Sequence, residues 1–291
     1  MHIVILCRDK TLYSVRRIYE SAKDRNHSIE ILDPYNFLLN INDGSFTFKY
    51  SNNLFNGADI FLPRLGAGIS DHSLNLLKHL KYAGFPVINS PESITIARDK
   101  INTLQYLALN GFPVPNSSFA PNPEFFRSAL ENVGGVPVIM KLPRSSQGKG
   151  VMKLSKADES ESIADVMWVL EQDVIVQEFV PTKPMSDIRV LVLGKKVIGS
   201  VRRIVPKNEF RSNYNRGGVF AEFKLNDEIE ELAICVATVC GLEIAGIDFL
   251  ETKNGFLILE VNASPGFKGI EEIYNNDVGS LIIEYIESIY K

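Results

Sequence analysis

The spacing of apolar residues changes several times along this 291-residue chain, and each change marks a predicted element. From residue 1 to about residue 90, short apolar runs alternate with amphipathic stretches, which is typical of strand–helix–strand units. Successive units of this kind form a small and mostly parallel sheet. The predicted strands are 2–7, 29–32, 59–63 and 86–89, and the predicted helices are 12–22 and 73–82.

In the rest of the chain, predicted helices and strands follow each other in a less regular order. The predicted helices are 98–109, 123–132, 160–170, 227–240 and 278–290, and the predicted strands are 136–142, 174–180, 188–193 and 196–204. This order predicts an α+β protein in three parts. We expect an N-terminal α/β domain at 1–92, followed by two α+β subdomains at 93–182 and 183–291.

A last predicted hairpin carries two acids and an amide in strands that are otherwise apolar: Asp248, Glu260 and Asn262. Its turn contains Gly255 at a position that requires a positive φ. If the loop is 253–255, counting back from the turn places Asp248 directly opposite Glu260. The alternation of side chains along a strand then puts Asn262 on the same face as Glu260.

Two carboxylates that face each other across a sheet repel, which makes their pairing informative. Like charges directly opposite destabilise a sheet, so a cation between them is the favoured explanation. Oxygen ligands of this kind favour a hard ion, Mg²⁺ or Mn²⁺, which substrate phosphates often share. The alternative is a solvated hairpin face. The apolar neighbours Leu250 and Ile258, with Gly246, favour the metal site.

A glycine-containing loop follows the predicted strand that ends at Lys141. Gly148 and Gly150 flank Lys149, and backbone N–H groups in such a loop can contact phosphate oxygens. The spacing differs from a Walker A motif, which requires Ser or Thr directly after its lysine. Taken alone, a Gly-Lys-Gly turn between two strands is equally explained as an ordinary β-turn.

The charge distribution points to a local anionic ligand and excludes a general affinity for anions. The net charge is −4 and the isoelectric point is near 5.7, so no global field attracts nucleic acid or an anionic membrane. The sequence contains neither a signal peptide nor an apolar run of about 18 residues, and we expect a cytoplasmic protein. Between 202 and 216, however, basic residues outnumber acids: Arg202, Arg203, Lys207, Arg211 and Arg216 stand against Glu209.

These features occur in an order that resembles the ATP-grasp carboxylate–amine ligases: Lys100, Lys141 with its glycine loop, 177–180, Asp187, and the hairpin with Asp248, Glu260 and Asn262. Within that superfamily, the sequence resembles the RimK family in particular. The segments that carry this resemblance are residues 8–14, 30–34, 98–100, 210–213, 216–218, 245–248 and 260–266. The similarity extends over essentially the whole chain. It implies an ATP-grasp fold, in which two α+β subdomains clasp ATP, preceded by a small α/β domain.

The resemblance also implies a role for each position. Adenine is expected against the backbone of Glu178 and Phe179, and ribose on Asp187. The implied phosphate contacts are Lys100, Lys141, Gly148, Gly150, Arg211, Ser212 and Asn213, of which the glycines act as a lid. The implied catalytic residues are Arg203, Arg211 and Asn213; Asp248, Glu260 and Asn262 would hold two Mg²⁺ or Mn²⁺ ions; Arg202 and Arg216 would bind the acceptor.

The activity implied by the resemblance is ATP-dependent addition of L-glutamate to a carboxylate, through an acyl phosphate. The leading acceptor is the C-terminal glutamate of the sixth small-subunit ribosomal protein, and relatives suggest a homotetramer. One alternative is a ligase of the same branch that acts on a small molecule or a carrier protein, as in folate-like or deazaflavin glutamylation or lysine biosynthesis. Another is a non-catalytic ATP-binding regulator, which the complete metal set disfavours. The basic segment fits any acidic acceptor.

Overall fold

The structure is a computed structural model that describes residues 1–55, 57–66, 69–144, 150–205 and 218–290. Its strands form successive sheets along the chain, in keeping with the predicted mixed α/β architecture. In the described part of the chain, no helix has the length and apolarity needed to cross a membrane.

The N-terminal region contains the predicted parallel sheet and an additional antiparallel one. The first sheet has the order β2-β1-β6, with both pairings parallel. The expected strand at 86–89 is reduced to one bridge between Phe61 and Val87. An unpredicted sheet of β3, β4 and β5 lies between β2 and β6 in the chain. The elements are β1 (His2–Leu6), α1 (Tyr13–Asp24), β2 (Ser28–Leu32), β3 (Phe37–Asn42), β4 (Ser45–Tyr50), β5 (Asn53–Leu54), β6 (Ile60–Pro63) and α2 (Asp71–Tyr82).

The central region builds an antiparallel sheet of order β7-β10-β8-β9. The predicted helix 98–109 corresponds to α4, which begins two residues later, and the helix α3 before it was not predicted; the two helices meet at Asp99. The Asp99 carboxylate accepts hydrogen bonds from the backbone N–H groups of Ile101 and Asn102, which caps the second helix. The elements are α3 (Pro91–Arg98), α4 (Lys100–Leu109), β7 (Ser117–Ala120), α5 (Phe126–Asn132), β8 (Val138–Lys141), β9 (Val151–Leu154), α6 (Ala157–Val169) and β10 (Val174–Glu178).

The C-terminal region is organised around a five-stranded antiparallel sheet of order β13-β12-β11-β14-β15. Its elements are β11 (Ser186–Leu193), β12 (Lys196–Ile204), β13 (Val219–Glu222), α7 (Asp227–Val239), β14 (Ile244–Thr252), β15 (Gly255–Asn262), α8 (Lys268–Tyr274) and α9 (Val278–Tyr290). The helix α7 covers one face, where Ile229 and Val236 pack with Ile188 and Ile247. The opposite face carries the polar side chains of the candidate site.

The N-terminal and C-terminal regions share one hydrophobic core. Ile3 and Ile5 of β1 belong to the same buried cluster as Ile282 and Ile286 of α9. Asn89 also links the two regions by hydrogen bonds, because its side-chain amide donates to the carbonyls of Ile244 and Ala263. The candidate site therefore lies between two regions that are packed against each other. The boundaries 1–92, 93–182 and 183–291 stay a prediction.

Candidate active site

The hairpin of β14 and β15 places Asp248 opposite Glu260, as predicted, but by a different route. The pairing of Thr252 with Gly255 shows a two-residue loop in place of the expected three-residue loop. A register irregularity next to Asp248 adds one residue to β15 and restores the predicted pairing. Gly255 has a φ of 109°, the positive value that the turn requires.

Asp248 is held by two arginines rather than by solvent. It is 1% exposed, and Arg189 donates to both of its carboxylate oxygens, from Nε and Nη2, at 2.8 Å each. Arg203 donates from Nη2 to Asp248 Oδ2 at 2.8 Å, and its Nε donates to Asp187. The neighbouring strands β14, β11 and β12 thus carry one buried network of alternating charges.

This network shifts the pKa values of Asp248 and Arg203 in the direction of full ionisation. Burial alone would raise the pKa of the Asp248 carboxyl, but Arg189 and Arg203 outweigh it and hold that pKa below its usual value. Burial alone would lower the pKa of Arg203, and the carboxylates of Asp187 and Asp248 raise it instead. Asp187, the residue expected to bind ribose, is therefore committed to an ion pair, and its ribose contact stays a prediction.

Glu260 and Asn262 lie on the cavity side of this network. Lys100 Nζ is 3.5 Å from Glu260 Oε1. The amide nitrogen of Asn262 is buried and has no hydrogen-bond partner among the described residues. With Asp248 across the strand pair, these side chains offer carboxylate and amide oxygens, a donor set that fits Mg²⁺ or Mn²⁺. Both oxygens of Asp248 already accept hydrogen bonds from arginines, and the described residues include no group of three or more His, Cys, Asp or Glu side chains that could hold a metal ion. Metal binding by Asp248, Glu260 and Asn262 therefore stays a prediction.

Lys141 ends β8 as a buried cation. Its Nζ donates to Gln177 Oε1 on the neighbouring strand β10, at 2.6 Å. Burial lowers the pKa of Lys141 to about 8, against the attraction of Glu260 and with the help of Lys100. Lys100, Lys141 and Glu260 line one small cavity, so the two predicted phosphate lysines come together beside Glu260. A buried lysine without a carboxylate in contact is suited to binding an anion.

The predicted adenine residues follow at the end of β10. The Glu178 carboxylate accepts hydrogen bonds from the backbone N–H and the side-chain amide of Asn116, at 2.8 and 3.3 Å. Lys153 Nζ lies 3.7 Å from the centre of the Phe179 ring, an arrangement that the sequence reading missed. The adenine and ribose contacts of this region stay predictions.

Several predicted residues lie outside the described part of the chain: Gly148, Arg211, Ser212, Asn213 and Arg216. Gly150 is described, has a φ of 64°, and its carbonyl accepts a hydrogen bond from the Leu142 N–H. This contact closes the base of the glycine loop. Arg202 faces away from Arg203, as neighbours on a strand must, and donates to Ser186 and Glu251. Its acceptor role stays a prediction.

A cavity of about 530 Å³ opens between the N-terminal and C-terminal regions. Glu260, Asn262, Arg189 and Arg203 form part of its wall from the five-stranded sheet. The N-terminal region contributes residues that follow β1 and β6, and 264–270 supplies the remaining wall. Ligands of open α/β sheets bind outside the carboxyl ends of the strands, which is where β1 and β6 meet this cavity.

Sequence comparison decides the family. The model of the RimK-like ATP-grasp domain matches residues 97–286, and that of the RimK PreATP-grasp domain matches residues 1–94. The chain belongs to the RimK family. A probable alpha-L-glutamate ligase from Serratia proteamaculans is 38% identical over 99% of this chain and 96% of that protein, and one from Methanococcoides burtonii is 34% identical over 99% and 95%.

Solved structures show the same fold. A RimK domain ATP-grasp protein from Sphaerobacter thermophilus has a TM-score of 0.78 at 20% identity, and covers 98% of this chain and 99% of its own. The ATP-grasp ligase PsnB bound to a minimal precursor has a TM-score of 0.75 at 21% identity, with 98% of each chain covered. Together with the relatives, these matches make this RimK-family chain an ATP-dependent ligase that forms amide bonds.

The reading of the sequence missed two arginines of the site. Arg189 was passed over although it lies two residues after Asp187, on the same face of a strand that is otherwise apolar. That alternation is a usable signal for a shared polar face. Arg64 follows the short apolar strand β6 and lines the cavity; nothing in its local sequence separates it from an ordinary residue at the end of a strand.

Proposed function

We propose that this RimK-family ligase adds L-glutamate, through its α-amino group, to the C-terminal glutamate of an acidic protein tail. The single observation that carries the proposal is the match over 99% of the chain to proteins named probable alpha-L-glutamate ligase, at 34–38% identity. The sixth protein of the small ribosomal subunit is the proposed acceptor, and the cytoplasm is then the expected compartment.

Positive charge near the cavity supports this chemistry. The acceptor carboxylate attacks the γ-phosphate of ATP and displaces ADP, which gives an acyl phosphate. The amine of glutamate then attacks the acyl carbon, inorganic phosphate leaves, and the nitrogen loses a proton to give the amide. Negative charge on the phosphoryl oxygens must be neutralised in the first step. We assign this task to Lys100 and Lys141, which line one cavity with Glu260, and to Arg203, which pairs with two carboxylates.

The proposed ions are two Mg²⁺ or Mn²⁺ at Asp248, Glu260 and Asn262. When bound, divalent ions at this position supply Lewis-acid neutralisation of phosphate charge. The protein orients Asp248 through its hydrogen bonds with Arg189, and the strand pairing sets Glu260 opposite Asp248. An acyl phosphate hydrolyses readily, so the proposed reaction requires that water be kept from the site.

Mass spectrometry of the acceptor tests the proposal. The purified ribosomal protein is incubated with the enzyme, ATP, Mg²⁺ and L-glutamate, and mass increments of whole glutamyl units at its C-terminus are expected. The matched control is the same acceptor without its C-terminal glutamate, which should stay unmodified. An unmodified natural acceptor, in a reaction that still releases ADP with a small acidic molecule, would favour the small-molecule alternative. Light scattering on the same preparation tests the expected homotetramer.

A further inference from the structure

Arg64 is a buried arginine with no carboxylate partner in the described part of the chain. It directly follows β6 and is 5% exposed. Its Nη2 donates to the carbonyl of Pro265 at 2.5 Å and to Ser14 Oγ at 3.1 Å, both neutral oxygens. Its Nε is buried and lacks a hydrogen-bond partner among the described residues. Burial lowers the pKa of Arg64 to about 10, which still leaves it charged at neutral pH.

Other described cations of the cavity wall differ from Arg64 in this respect. Arg189 pairs with Asp248, Arg203 pairs with Asp187 and Asp248, and Lys268 lies 3.3 Å from Glu272. An uncompensated buried charge is strongly unfavourable, and proteins retain one where an anion binds. Arg64 therefore supplies the cavity with positive charge that no described carboxylate neutralises.

The position of Arg64 separates this charge from the proposed phosphate residues. Lys100 and Lys141 line a small cavity on one side of Glu260, whereas Arg64 lines the large cavity, which Glu260 also borders. The phosphate end of ATP is thus expected on the lysine side. The large cavity is left for the substrates that carry carboxylates, and a planar guanidinium suits a carboxylate through paired N–H donors.

We propose that Arg64 is a specificity-determining residue that binds a non-reacting substrate carboxylate in the large cavity. This inference rests on the proposed function. Two substrates present that chemistry: the free L-glutamate, and the C-terminal residue of the acceptor, one of whose two carboxylates reacts while the other does not. In both cases the guanidinium selects an acidic substrate and orients it beside Glu260 and Asn262.

Steady-state kinetics of Arg64→Lys tests the proposal on the full chain. Lysine keeps the charge but loses the planar fork, so KM for one carboxylate substrate should rise about tenfold or more. KM for ATP should change less than about twofold. A rise in KM for L-glutamate assigns the contact to the amine donor, and a rise in KM for the acceptor peptide assigns it to the acceptor. Unchanged values for both would overturn the proposal.

The matched control is Arg17→Lys. Arg17 also reaches from the N-terminal region to the C-terminal region, but its partners there are the protein carboxylates of Glu271 and Asp277. This variant should leave KM for both carboxylate substrates unchanged. If Arg17→Lys raised these KM values as much as Arg64→Lys does, the cause would be a general disturbance of the interface, and the proposal would be contradicted.

A second variant covers the case in which Arg64→Lys does not fold. Ser14→Ala removes one hydrogen-bond partner of the guanidinium and keeps its charge. It should raise the same KM by a smaller factor, and no change would count against the proposal. If the wild-type enzyme transferred glutamate to none of the acceptors tested, the proposed function itself would be refuted. Wild-type ligation with unaltered KM values in both variants would refute only the role of Arg64.

Discussion

Arg189 donates two hydrogen bonds of 2.8 Å to the carboxylate of Asp248, one to each oxygen. The two residues are cross-strand neighbours on β11 and β14, so the pair is built into the register of the sheet. A bidentate arginine fixes both the position and the plane of a carboxylate. Asp248 is therefore oriented by the protein itself before any ligand binds.

Arg189→Leu should lower the free energy of unfolding by about 2 kcal/mol, because a buried carboxylate loses one of its two cationic partners. Urea denaturation at pH 7 measures the loss. Arg127→Leu is the control, since Arg127 forms an exposed pair with Glu161, and its effect should stay below about 0.5 kcal/mol. An equal effect in the two variants would contradict the structural importance of the Arg189–Asp248 pair.

The same pair predicts how stability depends on pH. The pKa of Asp248 is lower in the folded state than its usual 3.8, so its contribution is fully present above about pH 4. That contribution is lost as the pH falls through the folded-state pKa. Arg189→Leu should therefore narrow the difference between the free energies of unfolding at pH 6 and at pH 3. If the variant showed the same difference between pH 6 and pH 3 as the wild type, the Arg189–Asp248 pair would not be the source of this pH dependence.

Glu260→Gln should abolish ligation and leave the fold intact. The substitution removes a negative charge from the proposed metal residues and replaces one acceptor oxygen with an NH₂ group, while it preserves the size of the side chain. ADP release reports activity, and thermal denaturation reports the fold. The matched control is Glu231→Gln on the exposed surface of α7, which should retain wild-type turnover. Normal turnover of Glu260→Gln would refute its proposed role in metal binding.

Lys141 should make ATP binding weaken above about pH 8. Its pKa in the free protein is about 8, so the charged form that attracts phosphate is lost as the pH rises through that value. Above it, the dissociation constant should increase by up to about tenfold per pH unit. The control is Lys141→Arg, whose guanidinium stays charged. Calorimetry from pH 7 to 9 gives the dissociation constant for ATP of the wild type divided by that of Lys141→Arg. This ratio should rise only above pH 8, and a constant ratio would show that Lys141 does not cause the pH dependence.

Gly246→Ala should destabilise the protein through the loop beside the site. An added Cβ at Gly246 would lie 2.6 Å from Pro265 Cβ, closer than side chains tolerate, and Pro265 also accepts the hydrogen bond from Arg64. A loss of about 1–3 kcal/mol is expected in urea denaturation. Gly266→Ala is the control, because its added Cβ would meet open space. Similar stability losses would show that the loop adapts freely.

Local patterns were sufficient for much of the fold. The predicted strand 196–204 and helix 278–290 coincide with β12 and α9, since each has a clear period and a clear end. The sheet of β3–β5 was missed, and no strand was assigned between 32 and 59. The helix predicted from residue 98 begins at Lys100, because the side chain of Asp99 caps α4 and the backbone there is extended; the preceding helix α3 was missed.

By itself, the sequence determined the family and the fold, because these depend on motifs along the chain. It also predicted that Asp248 pairs with Glu260, but the two-residue loop and the register irregularity that produce this pairing were visible only in the structure. The tertiary structure decided which charges meet. Asp248 and Arg189 lie 59 positions apart, and Arg64 and Pro265 lie 201 apart. Contacts of this kind follow from how sheets and domains pack, and no local spacing encodes them. The same packing leaves Arg64 buried beside neutral oxygens, where, as we propose, its guanidinium binds a substrate carboxylate.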